Sequence, residues 1–370
     1  MGDMPRCFTA RQQDTAMNKS APPFSREDGI LLGILGLQNP DLHGVEPAWL
    51  WRQAEVQRVS PFVAWYVREH ASNAWSPPLL HTARAIRYVA LSRNMKLLTL
   101  LDRIQKAFDQ AGLEWIAIKG PVFTARCFGD LARRTSFDLD VLVRPEDAHK
   151  ADRLLREINI CPNGKAFSLK KRPFGLTTHE HKYYCAESGT MIELHVSLAD
   201  ERYRIVPTEQ AFRHKTSFAI EQRSYPVLSP EDTLMHYGLH GFGHRWDRLN
   251  HVLNVACIMR MNGIAWDWDY ILATARASRK LRPLLWGLAL ARDLLNVALP
   301  STIAALIAQD KPLVGLCQRT LPNFSSHENR SASPLQSFLE KLHSLESTGD
   351  RVSLIAQACR KAWAQVTSAG

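Results

Sequence analysis

Asp138 and Asp140 stand two residues apart in Phe137-Asp138-Leu139-Asp140-Val141-Leu142-Val143, a run whose apolar alternation predicts a β-strand. Side chains alternate across a strand, so the two carboxylates share one face while Phe137, Leu139 and Val141 share the other, which should be a core face. Like charges this close repel unless a cation lies between them, and carboxylate oxygens are the donors Mg²⁺ prefers. A polar edge strand would show the same pattern. A second run narrows the choice. In Met191-Ile192-Glu193-Leu194-His195-Val196 the apolar Ile192, Leu194 and Val196 take one face, leaving Glu193 and His195 on the other. Laid beside the first strand, this one adds Glu193 as a third carboxylate, a set suited to metal-assisted transfer from a nucleoside triphosphate. His195 reads either as a structural histidine or as a contact to phosphate.

A third piece is Ile116-Ala117-Ile118-Lys119-Gly120-Pro121. A strand should end at Lys119, Gly120 lets the backbone approach closely, and Pro121 sits where a helix begins. Free N–H groups at a helix start, with a lysine beside them, form a natural phosphate cradle. Arg133 and Arg134, just ahead of the Asp-x-Asp strand, could add guanidinium forks to the same phosphates.

The elements that must carry these residues fall into four stretches. Residues 1–24 read as a disordered lead-in without the apolar core of a signal peptide. Residues 25–111 read as a helical arm: Ser25 and Asp28 have capping spacing, and apolar residues recur at three and four over Pro47 to Gln57, Ser60 to Ala71 and Pro78 to Gln110. Residues 112–228 hold the catalytic core, a small mixed sheet with helices on one side. Its predicted pieces are strands at Trp115 to Ile118 and Phe137 to Val143, helices at Pro121 to Phe128 and Pro145 to Ile158, and a hairpin turning at Glu187-Ser188-Gly189. Residues 229–370 are helical again, with a loop at Pro322 to Pro334. The expected class is therefore α+β, a mixed sheet flanked by N-terminal and C-terminal helical regions.

Composition bounds the rest. With 370 residues, 45% hydrophobic and 22% charged, the chain is too apolar for disorder and too evenly mixed for a fibre. A net charge of +10 favours phosphate-bearing partners. The seven cysteines are scattered with no Cys-x-x-Cys pair, which argues against a disulfide framework and for a cytoplasmic setting. No apolar run approaches the ~20 residues of a bilayer span, so no membrane partner is expected.

In this order the three pieces resemble the polymerase-beta-like nucleotidyltransferase superfamily, and most closely a bacterial branch of uncharacterised nucleotidyltransferases in which Lys-Gly replaces the usual Gly-Ser. The match runs through Ile118-Lys119-Gly120, Arg134, Asp138-Leu139-Asp140-Val141-Leu142-Val143-Arg144-Pro145 and Ile192-Glu193-Leu194-His195, then His240-Gly241, His244, Arg245-Trp246 and Arg248-Leu249. It implies a nucleotidyl transfer in which Asp138, Asp140 and Glu193 bind Mg²⁺ or Mn²⁺. Lys119, Gly120, Arg134, His195, His240 and His244 then form the nucleotide and phosphate set, with an NTP such as ATP as substrate. The acceptor is left open among a modified peptide, a glycan, a protein and RNA. Two departures stand out. The serine of Gly-Ser is missing, and Asn254 occupies a position that is often acidic in the branch.

Two other readings compete. The chain could be a nucleotide-binding accessory module without turnover. Alternatively, His236, His240 and His244, spaced four apart, would line one face of an unbroken helix as zinc ligands of a hydrolase, although Gly238, Gly241 and Gly243 argue against an undisturbed helix there. Trp49, Trp51, Trp65, Trp75, Trp266, Trp268, Trp286 and Trp363 fall in helical stretches and read as core. The basic run Lys165 to Arg172 and the group Arg202, Arg204, Arg213 and Lys215 read as solvated faces or as the lining of an acceptor groove.

Overall fold

Ser25 opens the first helix reciprocally: its Oγ accepts from the Asp28 N–H at 3.1 Å, and Asp28 Oδ2 accepts from the Ser25 N–H at 3.1 Å. This is seen in a computed structural model of the chain that describes residues 24–70, 77–163, 179–199 and 204–325 and positions 342, 349, 351, 352 and 355. The expected lead-in before residue 24, the basic run Lys165 to Arg172, Arg202, Trp75, Trp363 and, apart from those five helical positions, the closing helices lie outside the described residues.

The anticipated N-terminal helices form as α1 (Arg26–Leu35), α2 (Pro47–Val56), α3 (Ser60–His70) and the long α4 (Pro77–Gln110). The sheet region follows as β1 (Trp115–Ala117), α5 (Gly120–Phe128), β2 (Asp138–Val143), α6 (Ala148–Glu157), β3 (Ile160–Pro162), β4 (Glu180–Cys185), β5 (Thr190–His195), α7 (Thr208–His214), β6 (Thr216–Ile220) and β7 (Arg223–Val227). The C-terminal helices are α8 (Pro230–Gly243), α9 (Leu249–Met259), α10 (Trp268–Ala277), α11 (Leu281–Leu295), α12 (Ser301–Gln309) and α13 (Lys311–Thr320).

The seven strands join in one mixed sheet in the order β3-β4-β5-β2-β1-β7-β6. The β2–β5 and β1–β7 pairs are parallel and the others antiparallel. The class is the α+β class expected. Sequence patterning missed β3, β6, β7, α7 and α13. Strands β6 and β7 form an edge hairpin with few buried positions, and Pro226 in β7 disguises it as a loop.

Helices cover both faces of the sheet, not one. On one face Leu139, Val141, Val143, Ile192 and Leu194 pack with Leu97, Leu101 and Ile104 of α4 and Ala151 and Leu155 of α6. On the other, Ile116, Ile118 and Leu142 join a larger core with Phe123 and Phe128 of α5 and residues of α1–α3 and α8–α13. That second core ties distant parts of the chain together: Arg260 Nη1 donates to the Leu35 carbonyl at 3.0 Å, and the Leu249 N–H donates to Gln57 Oε1 at 2.8 Å.

Phe137 departs from expectation. It precedes the β2 ladder and is 57% exposed, with the Arg93 guanidinium 4.5 Å over its ring. Trp286 is fully buried, as the core reading anticipates, whereas Trp49, Trp51, Trp65, Trp266 and Trp268 are partly buried against the same core, and Trp246 is fully buried too. The described cysteines Cys127, Cys161, Cys185, Cys257 and Cys317 are free thiols. Among the described residues no helix is long and apolar enough to cross a membrane.

Candidate active site

Strands β2 and β5 bring the anticipated carboxylates together. Their parallel register sets Asp140 beside Glu193 and Leu142 beside His195. Alternation sends Leu139 and Val141 into the α4–α6 core, so Asp138 and Asp140 must turn to the opposite face with Glu193 and His195. Oxygens of Asp140 and Glu193 and a nitrogen of His195 lie within 4.8 Å of one another. Asp138 sits on the same face, half-buried, outside that close group.

The strands deliver the acids, and the strand–helix junction delivers the base. Lys119 is the residue ahead of α5, and its Nζ donates to Asp140 Oδ1 at 3.0 Å. The chain turns there through Gly120 at φ +75, a conformation that side chains disfavour, and a Cβ on Gly120 would lie 3.4 Å from the Asp138 carbonyl oxygen. His195 Nε2 lies 3.1 Å from the same Asp140 Oδ1 and 3.6 Å from Glu193 Oε2. Lys182 of β4 holds the outer oxygen of Glu193 at 3.0 Å.

The electrostatics follow from this packing. Burial opposes charge on Asp140, but Lys119 and His195 outweigh it and hold the carboxyl below its usual range. Burial likewise opposes charge on Lys119, and Asp140 outweighs it, so the ammonium keeps its proton more firmly than usual. For His195, burial is overcome by hydrogen bonds to Asp140 and Glu193, which push it up to about 9. The His195 hydrogen bond keeps Glu193 low against the effect of burial. Asp138 differs: burial first, then repulsion from Asp140, pushes it up.

Arg134 approaches from the loop before β2. Its Nη1 donates to Ser136 Oγ at 3.2 Å and Thr124 Oγ1 at 3.3 Å, and its guanidinium lies 5.2 Å over Phe123, on which Tyr237 stacks at 3.9 Å. Sequence reasoning missed what fixes that loop. Asn94, fully buried in α4, donates through Nδ2 to the carbonyls of Leu131 and Arg134, both at 2.6 Å, and accepts from the Ser136 N–H at 3.3 Å. An amide set among the apolar positions Ala90, Leu97, Leu98 and Leu101 of one helix was the available signal. Lys182, Thr124, Ser136 and Tyr237 carried none.

The histidines of α8 form a wall. His236, His240 and His244 run along it with ring centroids 6.3 Å and 4.7 Å apart. Contrary to the sequence expectation, α8 is unbroken through Gly243. Two of its glycines serve packing: a Cβ would meet Leu284 at 2.8 Å on Gly238 and the Trp246 ring at 2.3 Å on Gly241. Burial, then the Lys119 and His195 charges, push His236 down to about 3, which puts it within electrostatic reach of the carboxylates. Burial and then Lys119 keep His240 well below its usual value, and burial and then His251 lower His244. The three do not form one ligand set. The second close group of ligand atoms is His244, Asp247 and His251.

Other expectations move. Lys215 pairs with Glu114, just ahead of β1 and opposite the end of β2 away from Asp138, so it does not line the carboxylate patch. Asn254, at the often acidic position, is buried in α9.

A divalent cation fits the patch. Asp140 Oδ2 is buried with no hydrogen-bond partner among the described residues, and a second carboxylate lies beside it. An orphaned buried carboxylate oxygen is costly unless a cation or donor meets it.

No curated protein sequence matches the chain. Among solved structures it is similar to the Thermotoga maritima protein TM1012, described as a nucleotidyltransferase, with 19% identity and a TM-score of 0.31 over 43% of this chain and 92% of that one. It is also similar to the antibiotic-resistance factor ANT(2'')-Ia, with 15% identity and a TM-score of 0.30 over 58% of this chain and 97% of that one. Residues 43–296, well over half of the sequence, match the family described as uncharacterised nucleotidyltransferase. The chain belongs to that nucleotidyltransferase family, and thereby to the transferase enzymes.

Proposed function

We propose that the chain moves a nucleotidyl group from an NTP to an acceptor hydroxyl or phosphate, with a divalent cation, Mg²⁺ or Mn²⁺, held by Asp140 and Glu193 and by Asp138 at the rim. The observation that carries this reading is the β2–β5 register, which sets Asp140 and Glu193 side by side with a buried carboxylate oxygen unpartnered among the described residues. When bound, the cation supplies charge neutralisation on the triphosphate. The chain's own residues do the rest. Lys119 and the free N–H groups at the start of α5 grip phosphate beside Gly120, where the missing serine of Gly-Ser would have donated. Arg134 offers guanidinium N–H groups, and His240 and His244 line the approach. The acceptor oxygen forms the new bond to the α-phosphorus and pyrophosphate departs. Entry for the acceptor lies between the sheet region and the C-terminal helices, and a peptide, a glycan, a protein or RNA would each present a suitable oxygen there.

The test is a melting-temperature series with ATP, GTP, CTP and UTP, each with and without Mg²⁺, followed by transfer from the α-phosphate-labelled form of the best nucleotide. A ligand at one hundred times its dissociation constant stabilises by about 2.7 kcal/mol, easily seen as a shift. A metal-dependent shift lost in Asp138→Ala supports the reading, and no shift with any nucleotide refutes it.

A second reading rests on a specific observation. Lys119 and Lys182 already neutralise Asp140 and Glu193. A site sealed by its own lysines suits a nucleotide-binding accessory module without turnover. Nucleotide binding with no label transfer and no pyrophosphate release would favour it.

A further inference from the structure

The far end of the histidine wall holds donors that the carboxylate patch does not use. His244 caps the C-terminal end of α8, Asp247 lies in the turn that follows, and His251 sits in the first turns of α9. Ligand atoms of the three lie within 4.8 Å of one another. His251 Nε2 is 3.1 Å from Asp247 Oδ1, and the His244 and His251 rings stack 4.8 Å apart at 14°. The His240 ring stands 4.7 Å from His244 and 5.5 Å from His251, so three imidazoles and a carboxylate crowd one spot.

The turn that gathers them is anchored. Arg245 and Trp246 both take positive φ, at 58 and 52, a costly backbone for consecutive residues with side chains. Trp246 holds it there: its ring, fully buried, fills space left by Gly241 and Gly287, where a Cβ would come within 2.3 Å and 2.4 Å of it. The imidazoles of the cluster are also incompletely satisfied. Nδ1 of His240 and Nδ1 of His251 are buried with no hydrogen-bond partner among the described residues. Such orphaned nitrogens are uncommon in a finished core.

We propose that His244, Asp247 and His251 form a second metal site, distinct from the carboxylate patch, that takes a borderline transition-metal ion such as Zn²⁺. Two imidazoles with one carboxylate select zinc-like ions over Mg²⁺, which prefers an all-oxygen shell. Tetrahedral ligands at about 2.0–2.1 Å from zinc stand ~3.4 Å apart, so atoms already within 4.8 Å must draw together, and His244 and Asp247 are exposed side chains able to move. A three-ligand site open on its exposed side keeps a fourth position free, and the ion cross-links the end of α8 to the start of α9. The zinc set anticipated along α8 is thereby replaced: His236 and His240 drop out, His244 stays, and Asp247 and His251, beyond the helix, enter. This inference does not depend on the nucleotidyl-transfer reading.

The test uses the full chain, stripped with a chelator, dialysed and titrated with Zn²⁺ in excess Mg²⁺. Stoichiometry comes from elemental analysis and affinity from competition with a chromophoric chelator. One Zn²⁺ per chain is expected, weakened at least tenfold by His244→Ala and by Asp247→Asn, whose exposed side chains can change without disturbing the core. Glu193→Gln should bind zinc as the unaltered chain does. Co²⁺ should give the intense visible bands of a four-coordinate site, lost in the same two variants. Absence of stoichiometric zinc overturns the proposal. Zinc lost in Glu193→Gln but kept in His244→Ala overturns it equally, because the ion would then belong to the Asp140–Glu193–His195 group.

Discussion

Lys119 Nζ and Asp140 Oδ1 meet at 3.0 Å in a site where the carboxylate is almost wholly buried, joining the start of α5 to the middle of β2. The contact links the strand–helix junction to the carboxylate-bearing strand, and His195 adds a second donor to the same oxygen. Removing one member of such a buried set strands the others as unpaired charges. Asp140→Asn should therefore cost about 3–5 kcal/mol of stability, besides abolishing nucleotide-dependent stabilisation. Lys119→Met should cost a similar amount. The double variant should cost clearly less than the sum, because no uncompensated charge remains on either side. Urea unfolding of the three variants decides the matter, and strictly additive losses would mean that the pair is not formed.

Gly120→Ala tests the junction. At φ +75 an alanine is strained by about 1–2 kcal/mol, and its Cβ would lie in van der Waals contact with the Asp138 carbonyl oxygen at 3.4 Å. We expect a lower melting temperature and a smaller shift with nucleotide and Mg²⁺. Gly243→Ala is the control, since its Cβ would meet nothing within 4 Å. Equal responses from the two variants would remove the special role of Gly120.

Most of the carboxylate patch was readable from Asp138-x-Asp140 and Glu193-x-His195, because strand alternation fixes which residues share a face once the apolar partners fill the other. Parallel pairing of β2 with β5 was only a conditional inference, since register is decided by tertiary packing. Three features hid themselves. Asn94 stands at an apolar position of its helix, but its role was hidden because its partners lie 37 to 42 residues away in sequence. The glycines of α8 read as helix breakers because sequence does not show the Trp246 ring that they accommodate. Phe137 read as core because periodicity does not show that the ladder starts one residue later.

Asn94→Ala follows from the first of these. It would leave the Leu131 and Arg134 carbonyls and the Ser136 N–H without their buried partner, at a cost of at least about 2 kcal/mol. Because the loop also carries Arg134, nucleotide binding should weaken beyond what the global destabilisation explains. Calorimetric titration with the best NTP at a temperature where the variant is folded checks this. An unchanged dissociation constant would separate loop order from phosphate binding.

Opposite pH dependences of His195 and His236 give the last prediction. His195 is raised from 6.5 to about 9 in the folded chain, so it binds its proton more tightly there than when unfolded. Its contribution to stability is complete below pH 6.5 and is lost as pH rises through 9. His236 is lowered from 6.5 to about 3, so the unfolded chain takes up its proton first. Its contribution is present above pH 6.5 and is lost as pH falls toward 3. Unfolding free energies of the unaltered chain minus His195→Gln should decline on the alkaline side only. The same difference for His236→Gln should decline on the acid side only. Flat difference curves would show that neither histidine feels the Lys119–Asp140 pair, and the electrostatic link between the α8 wall and the carboxylate patch would be lost with them.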